Sequence, residues 1–239
     1  MSFVMYKKIV ILGLVSCLSV FNLAYAKDEL DDLRDNNSSE WSLVKHDLKR
    51  NIKAYDKKEY GNRLRSFKLD VVIDAPLDSV ARVYYDIENY HKWFWQVSNP
   101  KLLKRVSDTE FYYYLEHGAP VGLPDRDVII HAQITPYSRN HPYIEFKLKA
   151  VPDLIPPKPP LVRMVAEDMI LKWTPIDKNT TRLETEGYID PGGVIPSWAI
   201  TAVQRQAPYY TMLGLQRMVK LPQYLNPTTP ALFKIYAVD

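Results

Sequence analysis

Few side chains in this sequence combine the types and spacing that chemistry demands. The five histidines, His46, His91, His117, His131 and His141, are scattered, with no paired spacing on one helix or strand that would converge on a metal. Neither a metal site nor a cofactor is expected. General acid–base catalysis needs an acid or base aimed into a pocket, with a second group to orient it. His117, His131 and Tyr113 are the candidates. His131 has the parity of an outward-facing strand residue, His117 lies where a strand gives way to Gly118, and neither shows a carboxylate to orient it. The chain is therefore read as a binding protein with no catalytic residue. The adjacent ions Arg126 and Asp127 cannot both line one cavity, because neighbouring strand residues point to opposite faces. Asp127 is expected to meet a cation or a backbone donor at the sheet edge, and Arg126 to serve a loop.

The N-terminus has the plan of an export signal. Lys7 and Lys8 precede an apolar run from Ile9 to Leu23, and Ala24-Tyr25-Ala26 offers the small residues a signal peptidase reads. The run is shorter than the roughly 20 residues of a membrane span. Residues 1–26 are read as a signal peptide and the mature protein as periplasmic; Leu14-Val15-Ser16-Cys17 suggests the alternative of a lipoprotein anchored at Cys17. Cleavage after Ala26 leaves about 213 residues, enough for one large domain. It removes the only cysteine, so the mature monomer holds no disulfide. It also takes Lys7 and Lys8 from 31 basic side chains, leaving 29 against 28 acids. A net charge near +1 excludes the broad basic footprint of a nucleic-acid binder. Residues 27–39 form an acidic lead-in, and Lys45 to Lys68 is rich in Lys and Arg. That basic stretch is read as a solvated helix and strand edge, with transient contact to anionic lipid as the second reading.

Period two dominates from Arg65 onward. Phe67, Leu69, Val71 and Ile73 alternate with Lys68, Asp70 and Val72, Phe111, Tyr113 and Leu115 with Tyr112 and Tyr114, and Val128, Ile130, Ala132 and Ile134 with Ile129, His131 and Gln133. The pattern returns at Ile144 to Ala150, Met169 to Trp173 and Leu183 to Ile189. Alternation with one wet face marks an antiparallel sheet. Two helices interrupt it. Asp74-Ala75-Pro76 opens the first, with Asp74 as cap, running toward Trp93. The second follows Asp190-Pro191-Gly192-Gly193, begins near Pro196 and ends near Lys220, with Pro208 inside it. Its apolar face reads Val203, Ala207, Tyr210, Gly214, Met218 and Leu221. The proline-rich stretch between Val151 and Leu161 predicts an extended loop.

The sheet must bury its apolar face against the last helix. A helix about 10 Å wide cannot cover six strands spaced about 4.8 Å apart, so volume remains for side chains or for a ligand. Small residues on both sides (Ala132, Ala150, Thr185 and Gly187 on strands, Ala207 and Gly214 on the helix) favour a ligand, unless aromatic side chains swing across the gap. From the sheet, the expected wall is Phe111, Tyr113, Leu115, Val128, Ile130, Ala132, Phe146, Leu148, Leu171, Trp173 and Thr185. The helix adds Val203, Ala207, Tyr210, Gly214 and Met218. A gate is expected from Gly118, Pro120, Gly122, Pro124 and Arg126 in the loop, with Pro208 in the helix.

Several segments together resemble a known family. Ile73-Asp74-Ala75-Pro76-Leu77-Asp78-Ser79-Val80 with Asp86-Ile87 and Tyr90 to Trp93 resembles the opening of helix-grip domains in the polyketide-cyclase and START superfamily. Pro124-Asp125-Arg126-Asp127-Val128 resembles the Arg-Asp strand opening of START lipid-transfer domains. Leu161-Val162-Arg163-Met164 and Asp190 to Trp198 are similar to later segments of bacterial START proteins. The ordered set covers roughly residues 40–222, leaving 223–239 as a tail. The resemblance implies an α+β helix-grip fold, a curved antiparallel sheet around a long C-terminal helix, with a lipid or sterol-like molecule in a tunnel between them. A cyclase-like enzyme on the same fold, or a ligand-free partner-binding module, is the alternative. The cavity arginine of several START domains is replaced by Ala132, and its acidic partner falls near Leu115, so the charged head-group contact they make is not expected here.

Overall fold

The computed structural model describes residues 40–59 and 64–230. The expected signal peptide, its cleavage site after Ala26, the alternative anchor Cys17, the acidic lead-in 27–39 and tail residues 231–239 lie outside the described residues.

Among the described residues, ten strands form one sheet: β1 (Ser42–Asp47), β2 (Ile52–Lys58), β3 (Arg65–Ile73), β4 (Val97–Ser107), β5 (Glu110–His117), β6 (Arg126–Thr135), β7 (Ile144–Ala150), β8 (Val162–Arg163), β9 (Ala166–Asp177) and β10 (Thr180–Asp190). Their order is β1-β2-β3-β10-β9-β7-β6-β5-β4, antiparallel throughout, and β8 alone pairs parallel, to β6. The period-two signal is borne out in all six segments where it was read. In β7, Ile144, Phe146, Leu148 and Ala150 are buried while Lys147 and Lys149 face water. Edge strands escaped the pattern. The basic stretch, expected as a solvated helix and strand edge, holds no helix among its described residues: it spans the end of β1, β2 and the start of β3, and β1 is exposed along nearly its whole length. With few apolar residues to bury, such edges carry no alternation. Likewise β4 is exposed beyond Val97 and slips register against β5 at three points.

Helix α1 (Leu77–Tyr85) continues as a 3-10 helix, Ile87–Lys92, rather than as one helix to Trp93. Asp74 does not cap it. Pro76 holds the N-cap position without a side-chain bond, and the Thr181 hydroxyl donates to the Ala75 carbonyl at 2.9 Å. Asp74 instead lies 3.5 Å from Lys220. The long helix α2 (Ser197–Met218) has Pro208 inside it, and a short α3 (Pro222–Leu225) follows. Tyr224 of α3 is buried, donates to Asp86 at 2.6 Å, and has its hydroxyl pKa pushed up to about 12, chiefly by burial. Packing thus continues past residue 222.

The proline-rich segment is a loop, as expected, and it explains where alternation fails. Tyr114, Asp127 and Ile129 have outward parity yet are fully buried. Arg163 on β8 forms a two-pronged ion pair with Asp127 and donates to the carbonyls of Pro152, Ile155 and Pro156. That pins the loop over the outer face of β5 and β6, where Lys158 lies 4.0 Å over the Tyr114 ring. Asp127 thus meets the cation it was expected to meet.

Candidate ligand cavity

The concave face of the sheet is solid in one half and hollow in the other. Under α1, aromatic side chains interlock: Tyr84 meets Trp93 and Trp173 at centroid separations of 5.2 and 4.5 Å, Phe146 meets Trp173 at 4.1 Å, and Tyr90 meets Tyr113 at 5.8 Å. Such pairs pack edge to face or tilted, filling space efficiently. Phe111, Tyr113, Leu115, Val128, Ile130, Ala132, Phe146 and Trp173 belong to this filled half. They were expected in the cavity wall, and they form the core beside it.

The hollow half lies between β3, β9, β10 and the first four turns of α2. The cavity volume is about 140 Å³, roughly ten times the 10–15 Å³ that admits one water. Its walls are almost wholly apolar. Of the residues expected there, Leu148, Leu171, Thr185, Val203 and Ala207 line it, joined by Phe67, Leu69, Met169, Ile189 and Met212. From the expected gate, Gly118, Pro120, Arg126 and Pro208 also reach the wall. Gly122 and Pro124 do not. Gly122 has φ +90 in open space, and the Pro124 carbonyl accepts a bond from Arg126 Nη1.

Three helix residues depart from expectation. Tyr210 is 46 % exposed, on the outer side of α2. Gly214 sits against Trp93, where an added Cβ would lie 2.0 Å from the Trp93 carbonyl oxygen. Met218 is buried in the core near α1. The α2 face that opens on the cavity runs through Ala199, Val203, Ala207 and Thr211. Leu221 lies beyond the helix and is partly exposed. At Gly187 and Gly214 the missing side chain marks close approach, not space. A Cβ on Gly187 would meet Phe67 and Met169 within 3 Å.

A polar cluster interrupts the apolar wall where β5 ends and β6 and β9 begin. Arg126 is 5 % exposed; its Nε has no hydrogen-bond partner among the described residues. Burial lowers its pKa, while the charge of Asp125 works in the opposite sense. Glu167, 2 % exposed, places Oε2 at 3.1 Å from His117 Nε2, a contact poorly aligned for a hydrogen bond. Both histidines therefore have the carboxylate neighbour that was not evident in the sequence, for His131 lies 2.8 Å from Glu110 and stacks on Tyr112 on the outer face. Glu167 shares parity with Met169, Leu171 and Trp173. Carrying that alternation one step back along β9 would have found it. Arg126 lines the cavity besides serving the loop.

No family model matches the chain. An uncharacterized protein of Pseudomonas aeruginosa is 25 % identical over 179 residues, 75 % of this chain and 86 % of its own length. Among solved structures, a STAR-related lipid transfer protein fragment from Xanthomonas axonopodis superposes with TM-score 0.68 at 29 % identity, covering 76 % of this chain and 99 % of that one. Human STARD10 superposes with TM-score 0.66 at 21 % identity, covering 81 % and 80 % respectively. Human StAR-related lipid transfer protein 5 gives 0.64 at 17 %, covering 86 % and 97 %. The chain therefore has the START-like helix-grip fold, with its long C-terminal helix laid over a curved antiparallel sheet.

Proposed function

We propose that this protein is an exported carrier that holds a hydrophobic ligand, lipid or sterol-like, beneath α2 and moves it between membranes. The observation that carries this reading is the apolar hollow beside a fully packed core. A core that can fill one half of its sheet with interlocked aromatics has no physical need to leave the other half open. Burying about 400 Å² of ligand there would contribute roughly 10 kcal/mol before the costs of association. The signal-like N-terminus supports export to the periplasm. Binding without turnover is the favoured chemistry, because among the described residues the cavity wall offers one acid–base pair, His117 with Glu167, and its contact is poorly aligned for a hydrogen bond.

Exposed apolar residues adjoin wall residues of the cavity in sequence. Val121 is 101 % exposed, within the run Gly118–Leu123 that also supplies wall residues, and Val194 is 96 % exposed beside the wall residue Ile195. Trp198, also exposed, precedes the wall residue Ala199. Side chains of this kind around an opening suit transient insertion at a bilayer surface. In a vesicle assay the purified protein is expected to speed transfer of a fluorescent lipid from donor to acceptor liposomes. The Val121→Asp, Val194→Asp double variant should still take up lipid yet transfer it about tenfold more slowly or worse, since each charge must be desolvated to enter the interface. A wild-type protein that neither binds nor transfers any lipid would refute the carrier reading.

A further inference from the structure

We propose that the cavity selects a single-chain amphiphile with an anionic oxygen head, a carboxylate or a phosphate, received by Arg126 at the polar end of the apolar hollow. The inference rests on the carrier reading and deepens it. A buried guanidinium ordinarily has a carboxylate beside it, because an uncompensated buried charge is costly. Arg126 has no ion pair within 4.0 Å among the described residues. Its Nη1 is taken by the Pro124 carbonyl, and its neighbour Asp125 accepts from the Ala119 amide at 2.8 Å. Its Nε–H is buried and without a hydrogen-bond partner among the described residues, on a residue of the cavity wall. The nearby acid, Glu167, lies 3.1 Å from His117 and forms no ion pair with Arg126 within 4.0 Å.

The rest of the wall dictates the remainder of the ligand. Met169, Leu171 and Val203 offer only dispersion and burial, which suits an aliphatic chain. An anionic head in a low-dielectric wall gains a charge-assisted bond, roughly twice as strong as a neutral one. The carboxylate and the phosphate share this chemistry, and twelve-carbon probes separate them.

Calorimetric titration of the purified protein at pH 8 with dodecanoate, dodecyl phosphate and dodecanol tests the proposal. One or both anions should bind about tenfold or more tightly than the alcohol, and the better of the two names the head group. In Arg126→Gln the preference for the anion over dodecanol should fall to near unity. Equal affinities for the alcohol and both anions in the unmodified protein would overturn the proposal while leaving the carrier reading intact, and need no variant to fold. An anion preference that survives Arg126→Gln would also overturn it. Failure of all three probes to bind would count against the carrier reading itself.

Discussion

Replacing Arg163 with alanine is expected to lower the unfolding free energy by about 3–5 kcal/mol, the usual cost of stranding one member of a buried ion pair. Its guanidinium spans both oxygens of Asp127, Nε to Oδ1 at 3.0 Å and Nη2 to Oδ2 at 2.9 Å, and Asp127 is wholly buried. The same group donates to three carbonyls of the proline-rich loop, which has no regular structure to satisfy them otherwise. Truncation therefore leaves a dry carboxylate, loosens the loop and uncovers Tyr114 and Ile129 together. Removing both charges with Arg163→Met and Asp127→Leu should recover a large part of the loss, because the stranded charge is gone. Urea unfolding of the two single variants and the double variant measures the coupling. A single-variant loss below about 1 kcal/mol, the range of surface pairs, would show that the pair is solvated.

The second large effect is at Gly214, where two physical arguments predict opposite signs. Helix propensity alone says that Gly214→Ala, in the interior of α2, gains about 1 kcal/mol. The packing says otherwise. A Cβ there would stand 2.0 Å from the Trp93 carbonyl oxygen, 2.8 Å from its carbon and 3.0 Å from its Cα. These are backbone atoms at the end of the 3-10 helix, held by hydrogen bonds from Trp93 N and Phe94 N to the Tyr90 carbonyl. They cannot swing aside as a flexible side chain would. The helix must lift, and with it Leu215 and Met218 lose their seats in the core. A net loss of about 3 kcal/mol is expected, at the upper end for overpacking, and thermal or urea unfolding gives the sign directly. A stabilised Gly214→Ala would mean that α2 does not approach the Trp93 backbone so closely.

How much was legible in the sequence depends on what each residue's neighbours contribute. The six strands with one wet face announced themselves, since period two is a local property, and α2 was framed by its Gly and Pro turn. The edge strands β1 and β4, and β2 beside β1, have little apolar surface to bury and so leave little period to read. Tyr114, Asp127 and Ile129 break the parity rule because a loop covers the wet face, a fact decided by Arg163 more than thirty residues downstream of Asp127. Gly187 and Gly214 showed the limit of reading small residues as space. A missing side chain is compatible with a void or with an intruding neighbour, and here Phe67, Met169 and the Trp93 backbone intrude. The division of the concave face into a filled and an open half was equally hidden. Phe146 and Trp173 have the right parity for a cavity wall, and only the arrival of Tyr84 from α1 converts them into core. Arg126 and Glu167 both obey strand parity, and each stands at the first residues of its strand, where alternation has fewest neighbours to declare it.

Whether the hollow under α2 receives a hydrophobic guest is answered most directly by native mass spectrometry of protein purified from its own compartment, compared with an Ala207→Trp variant. Ala207 faces the cavity from α2, so an indole there occupies the space without touching the packed half of the core. The purified protein should carry an extractable lipid-like molecule as a discrete mass increment, and the variant, equally well folded by circular dichroism, should lose about nine-tenths of that occupancy. A protein that flies at its bare mass and takes up no lipid when offered it, or a variant that loads as fully as its parent, would contradict the account.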